Sequence, residues 1–167
     1  MEIKFCKNRI NLIHSFGISR SSNDYYDIVY VYILDGDIIA RGEAAPSKRY
    51  KESSELILSV LNTGIKVPES SNSKDHFWGY LKPQLKGISS LEAAVNMAVW
   101  DWRAQKEETP LFNLFGFKDE ILPKTSYTIA IGELNEIDEK LEESEKYSIL
   151  KVKLGTPDND KEIMTRI

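Results

Sequence analysis

Residues 149–155, ILKVKLG, alternate Leu150, Val152 and Leu154 with Lys151 and Lys153. An extended strand puts the two lysines on one face and the three apolar residues on the other. A strand rises about 3.3 Å per residue, so the two lysines start about 6–7 Å apart. Two ammonium groups that close, partly desolvated, push each other's pKa down. A lysine brought toward neutrality near pH 7 can take a proton from carbon. On a face that meets water, the same pair is a solvated strand face or a salt-bridged pair. The chemistry depends on whether that face points into a closed barrel.

Few other residues are spaced for chemistry. His14 and His76 are far apart and have no cysteine partners, so there is no zinc pattern. There is no GxGxxG and no P-loop. Asp158-Asn159-Asp160 has the look of a metal loop, but a helix cap explains it better. Trp78, Trp100 and Trp102 read as core, and Cys6 as a small strand residue.

The elements that would position the lysines follow from periodicity. Residues 2–13 alternate as a strand, with Ile3 and Phe5 on one face; HSFGISRSSND, 14–24, has loop composition. YYDIVYVYIL, 25–34, is a strong strand, Asp35-Gly36 signals a hairpin, and Ile38 to Glu43 returns. Helices are expected over Tyr50–Leu61, 76–85 and 89–105, the last with Ser89 and Glu92 as a capping box and Leu91, Ala94, Val95, Ala98 and Trp102 on one face. A short turn from Pro110 ends at Gly116. Strand 126–131, helix 136–147, strand ILKVKL and a helix after Pro157 then give β-α-β-α, the unit of a parallel sheet.

The expected fold is an α+β capping domain over 1–120, a three-stranded antiparallel sheet plus helices, followed over 121–167 by the first two β/α units of a parallel barrel. Two parallel strands cannot close a barrel. The chain therefore reads as a fragment of a longer protein, or as one that another chain completes.

Composition narrows the function classes. The 167 residues carry formal charge −4, with 41% hydrophobic and 29% charged residues. That gives no electrostatic case for nucleic acid or an anionic membrane, and no apolar run approaches the length of a transmembrane helix. The N-terminus alternates polar and apolar residues, unlike a signal peptide. A single cysteine excludes an intrachain disulfide and fits the cytoplasm. Homo-oligomerisation stays open.

Three stretches carry a resemblance: GEAAPSKRYKES (42–53), SSLEAAVNMAVWDWRAQKEETPLFNLFG (89–116), and the strand pair SYTIAI and ILKVKLG. Together they resemble the enolase superfamily in its muconate-lactonizing subgroup, nearest to the dipeptide epimerases, over its N-terminal capping domain and the start of its barrel. The resemblance implies a dipeptide substrate and roles for both lysines. Lys153 would be the acid/base facing the substrate α-carbon, and Lys151 would tune it and bind a carboxylate oxygen. Residues 14–24 match the loop that closes over substrate, which makes Phe16, Ile18 and Arg20 candidate contacts, Arg20 either pairing with a substrate carboxylate or simply solvated. Tyr50, with Ala44 and Pro46, would shape the pocket or pack a turn. Thr128 would line the site or is a plain β-former.

The family uses Mg2+, which stabilises the enolate, held by three carboxylates on later barrel strands, and a second lysine on the opposite face. This chain stops before both. The resemblance thus implies that the full-length parent is the isomerase and that these 167 residues alone are inactive. The subgroup's o-succinylbenzoate synthases and muconate cycloisomerases are the alternatives within the fold, and a non-catalytic capping or interaction module is the alternative outside enzymology.

Overall fold

A computed structural model describes residues 1–18, 21–68, 74–117, 123–132, 134–155 and 159–167. Three strands open the chain in the sheet order β1 (Glu2–Ile18), β2 (Ser21–Asp35), β3 (Ile38–Ala44). Parallel neighbours need a long crossover, so β1 and β2, two residues apart, run antiparallel. β2 and β3 are antiparallel, with Val29 opposite Ala44 and Asp35 opposite Ile38. The turn is therefore Gly36-Asp37, one residue later than the dipeptide that signalled it. Gly36 takes the positive φ of 61° that the first turn position requires.

The loop expected over 14–24 is not a loop in its described part. Residues 14–18 and 21–24 are strand, and β1 and β2 continue outward as a two-stranded ribbon. Alternation persists there: Leu12 and His14 are half-buried, while Ile13 between them is 93% exposed. Ladder pairing and burial of one face outweigh the local preference of Ser, Gly and Asn for turns.

The chain forms two units, Met1–Ile10 with Asp27–Asp119, and Asn11–Tyr26 with Glu120–Ile167. In the first, helices α1 (Ser54–Leu61), α2 (Lys74–Leu81) and α3 (Ser89–Lys106) cover the sheet, and a four-residue helix α4 (Leu111–Leu114) follows. Helix α1 starts later than its apolar spacing suggests. Lys48–Tyr50 form a short 3-10 turn ended by Lys51 in the left-handed region, and the Ser53 hydroxyl then accepts from the Leu56 N–H at 3.2 Å. The core holds Val29, Val31 and Ile33 of β2 against Ile57, Phe77 and the expected α3 face Leu91, Ala94, Val95, Ala98 and Trp102. Phe77 meets Trp102 edge-on at 4.9 Å, and the Trp102 indole N–H donates to Asp35 at 2.9 Å. On β3, the Arg41 N–H donates to Asp101, and the Ile39 carbonyl accepts from Gln105, both on α3.

The start of α3 departs from the capping box. Ile88 occupies the cap and no side chain of the helix caps it. Instead Glu52, only 8% exposed, reaches in: its two carboxylate oxygens accept from the N–H groups of Ser89 at 2.8 Å and Ser90 at 3.3 Å. A full negative charge on two orphan donors at the positive end of the helix is stronger than a hydroxyl cap. Glu52→Ala is expected to lower stability by about 1–3 kcal/mol. Glu52→Gln should lose less, and urea unfolding of both variants measures the difference.

In the second unit, β4 (Tyr127–Ile129) and β5 (Leu150–Val152) pair in parallel, and α5 (Leu134–Ser144) and α6 (Asp160–Arg166) pack on them. Ile129, Ile137 and Ile163 are buried together, joined by Tyr127, Leu134, Leu141 and Val152. Asp160 accepts from the Gly155 N–H with both oxygens, at 3.1 and 3.0 Å. Asn159 caps α6 without a side-chain hydrogen bond, and Asp158 lies outside the described residues.

Candidate active site

The β4–β5 register decides what lies beside the lysines. Tyr127 pairs with Leu150, Thr128 with Lys151, and Ile129 with Val152. Side chains alternate along each strand. Tyr127, Ile129 and Val152 turn into the core with α5 and α6. Thr128 and Lys151 therefore share the opposite face, and Ala130 and Lys153, two positions further along each strand, extend it. The Lys153 N–H donates to the Ile129 carbonyl at 2.9 Å, so the ladder continues to the second lysine.

Lys151 is exposed and Lys153 half-buried. The Lys153 ammonium is held below the ordinary lysine range, chiefly by the charge of Lys151, then by burial, then by a hydrogen bond with the Lys151 side chain. Among the described residues, no carboxylate contributes to this shift. A lysine displaced toward its neutral form, on the strand face that the helices leave open, is equipped to accept a proton. Ala130 was not anticipated from sequence: it is buried, and its small side chain stands on the same face as Lys153.

Of the other expected contacts, Phe16 lies on the outer part of β1, which packs in the same unit as Thr128 and the lysines. Ile18 ends β1, and Arg20 lies outside the described residues. Tyr50 is in the first unit, 66% exposed at the end of its 3-10 turn, and Ala44 is buried there at the end of β3.

A polar cluster that sequence reasoning did not find joins the ribbon to β4 and α5. His14 Nε2 lies 2.9 Å from Glu143 Oε1, and the Tyr127 hydroxyl donates to Glu143 Oε2 at 2.7 Å. The Glu143 carboxyl is held below its usual range, first by the bond from His14 and then by the bond from Tyr127. The phenol of Tyr127 is pushed up to about 12, chiefly by its bond to Glu143.

Among the described residues, no three or more His, Cys, Asp or Glu side chains converge as a metal would require. The described residues therefore do not fit a magnesium site. Among them also, no helix is long and apolar enough to cross a membrane.

No protein-family model matches the chain. Curated relatives do. An L-Ala-D/L-amino acid epimerase of Maribacter is 30% identical over 171 residues, covering all of this chain and 49% of that protein. One of Pedosphaera parvula is 29% identical over 165 residues, covering 95% and 47%. Among solved structures, a dipeptide epimerase from Methylococcus capsulatus, complexed with Mg and the dipeptide L-Arg-D-Lys, superposes with TM-score 0.84 at 25% identity over 99% of this chain and 49% of that one. The muconate lactonizing enzyme of Pseudomonas fluorescens, at 16% identity and TM-score 0.79, shares the fold. The chain thus has the fold of the enolase-type dipeptide epimerases and muconate-lactonizing enzymes. Its curated homologues are L-Ala-D/L-amino acid epimerases, and it spans about half the length of the curated relatives it matches.

Proposed function

We propose that the chain is the N-terminal portion of a dipeptide epimerase and that Lys153 is its acid/base on one face of the substrate. The neutral amine of Lys153 takes the proton from the carbon next to the dipeptide carboxylate and becomes an ammonium. The electron pair of the broken C–H bond passes into the carboxylate as an enolate. A proton returned to the opposite face gives the other stereoisomer, through an acid outside this chain. Lys151 lowers the charge preference of Lys153, and its ammonium and the Thr128 hydroxyl are suited to a carboxylate oxygen. Phe16, Ile18 and Arg20 of the ribbon region, and Tyr50, complete the proposed substrate contacts. Magnesium, present in the Methylococcus complex, would be held by residues outside this chain. A cytoplasmic location fits the single cysteine.

The observation that carries this reading is the Lys151–Lys153 pair on the strand face that α5 and α6 leave open, with Lys153 displaced toward neutrality by its neighbour. The test is α-proton exchange of L-Ala-L-Glu in D2O by the full-length parent with Mg2+, followed by NMR. Washout of the α-proton with appearance of the other diastereomer is expected. A folded parent that leaves the α-proton of L-Ala-L-Glu and of a panel of other dipeptides in place would overturn the reading.

A further inference from the structure

We infer that His14, Glu143 and Tyr127 form a pH-responsive clasp that seats the outer β1–β2 ribbon on β4 and α5. An ionised carboxylate only accepts, so the imidazole Nε2–H donates to Glu143 Oε1 across 2.9 Å. The second oxygen is taken by the Tyr127 hydroxyl at 2.7 Å, which fixes the carboxylate from the β4 side. Tyr127 is itself braced against the Tyr147 ring, 5.1 Å between centroids, and the Lys146 ammonium stands 5.4 Å from that ring. On the ribbon, the Ser15 hydroxyl donates to Asp24 at 2.5 Å and links its two strands beside His14. The groups facing the imidazole are thus Glu143 from α5 and, through that carboxylate, the Tyr127 hydroxyl from β4 and the charge of Lys146; Asp24, bonded to Ser15, lies on the other face of the ribbon.

Histidine is the side-chain type whose charge ordinarily changes between about pH 5 and 8. Protonated, it makes an ion pair with Glu143; neutral, it keeps a weaker hydrogen bond. The lower limit of the clasp comes from Glu143. Its carboxyl is held low in the folded state, so its contribution is complete above the ordinary glutamate value near 4.3 and is lost as pH falls through the lowered one. The clasp is therefore tighter with the imidazole protonated than with it neutral, for as long as Glu143 stays ionised.

Because the ribbon carries Phe16, the relevance of the clasp to substrate rests on the proposed function; its existence does not. Backbone hydrogen exchange of the full-length parent tests it without substrate, with rates corrected for intrinsic pH dependence and α3 as internal reference. Protection of residues 11–16 and 22–26 should rise about two- to fivefold from pH 8 to pH 5.5, the range of a partly exposed ion pair. His14→Gln should keep the pH 8 level at both pH values, and Glu143→Gln should lose protection at both, with α3 unchanged. Ribbon protection that does not change with pH, or that changes equally in wild type and His14→Gln, would overturn the clasp.

Discussion

Replacing Lys153 by alanine in the full-length parent is expected to reduce α-proton exchange at one substrate epimer by about 10²–10⁴-fold, the range for loss of a positioned acid/base. Lys153→Arg should fail almost as badly, because a guanidinium stays protonated and cannot accept the proton. Lys151→Ala separates tuning from proton transfer. The nearby positive charge is the largest influence holding Lys153 low. Without it, Lys153 moves back up toward its ordinary range and needs a higher pH to lose its proton. The acidic limb of the pH–rate profile should therefore move to higher pH. A limb that stayed in place, or moved down, would show that the lysines are not electrostatically coupled, and near-normal turnover of Lys153→Ala would make the pair scaffold.

Gly42→Ala should be the most destabilising single methyl in the capping unit, by about 3 kcal/mol or more. A Cβ at Gly42 would lie 1.9 Å from the Ala94 carbonyl oxygen and 2.8 Å from its carbon. Both are backbone atoms of α3, so relief requires moving the helix, and with it Val95, Ala98 and Trp102, off the sheet. Gly79, in α2, is the matched control. Nothing lies within 4 Å of the Cβ it would gain, and glycine inside a helix is unfavourable relative to alanine. Gly79→Ala should be neutral or stabilise by up to about 1 kcal/mol. Urea midpoints of the two variants should fall on opposite sides of the wild type, or Gly79→Ala level with it. A Gly42→Ala midpoint equal to wild type would mean that β3 and α3 do not approach as closely as described.

What sequence made legible was periodic. The buried face of α3, the β2–β3 hairpin and the alternation of ILKVKLG all repeat over several residues, and repetition survives tertiary adjustment. Non-periodic or long-range features were not legible. Glu52 caps α3 from 37 positions away, whereas the capping box looks only three positions ahead. The ribbon was read as loop because Ser, Gly and Asn report a local preference that cross-strand pairing overrides. Glu143 gave no signal: on a helix crowded with acidic residues, only the fold selects the one that meets His14.

The ribbon also sets a timetable for synthesis. Residues 29–35 of β2 meet β3 partners between Ile38 and Ala44, and the sheet beneath α3 can form while the chain is still emerging. His14 must wait for Glu143, 129 positions later. At about 5–20 residues per second, the ribosome delivers that partner roughly 6–26 s afterwards. A two-stranded hairpin is marginal on its own in water, so throughout that interval the ribbon lacks the bond that holds it to α5. Residues translated among the first are thus among the last to settle.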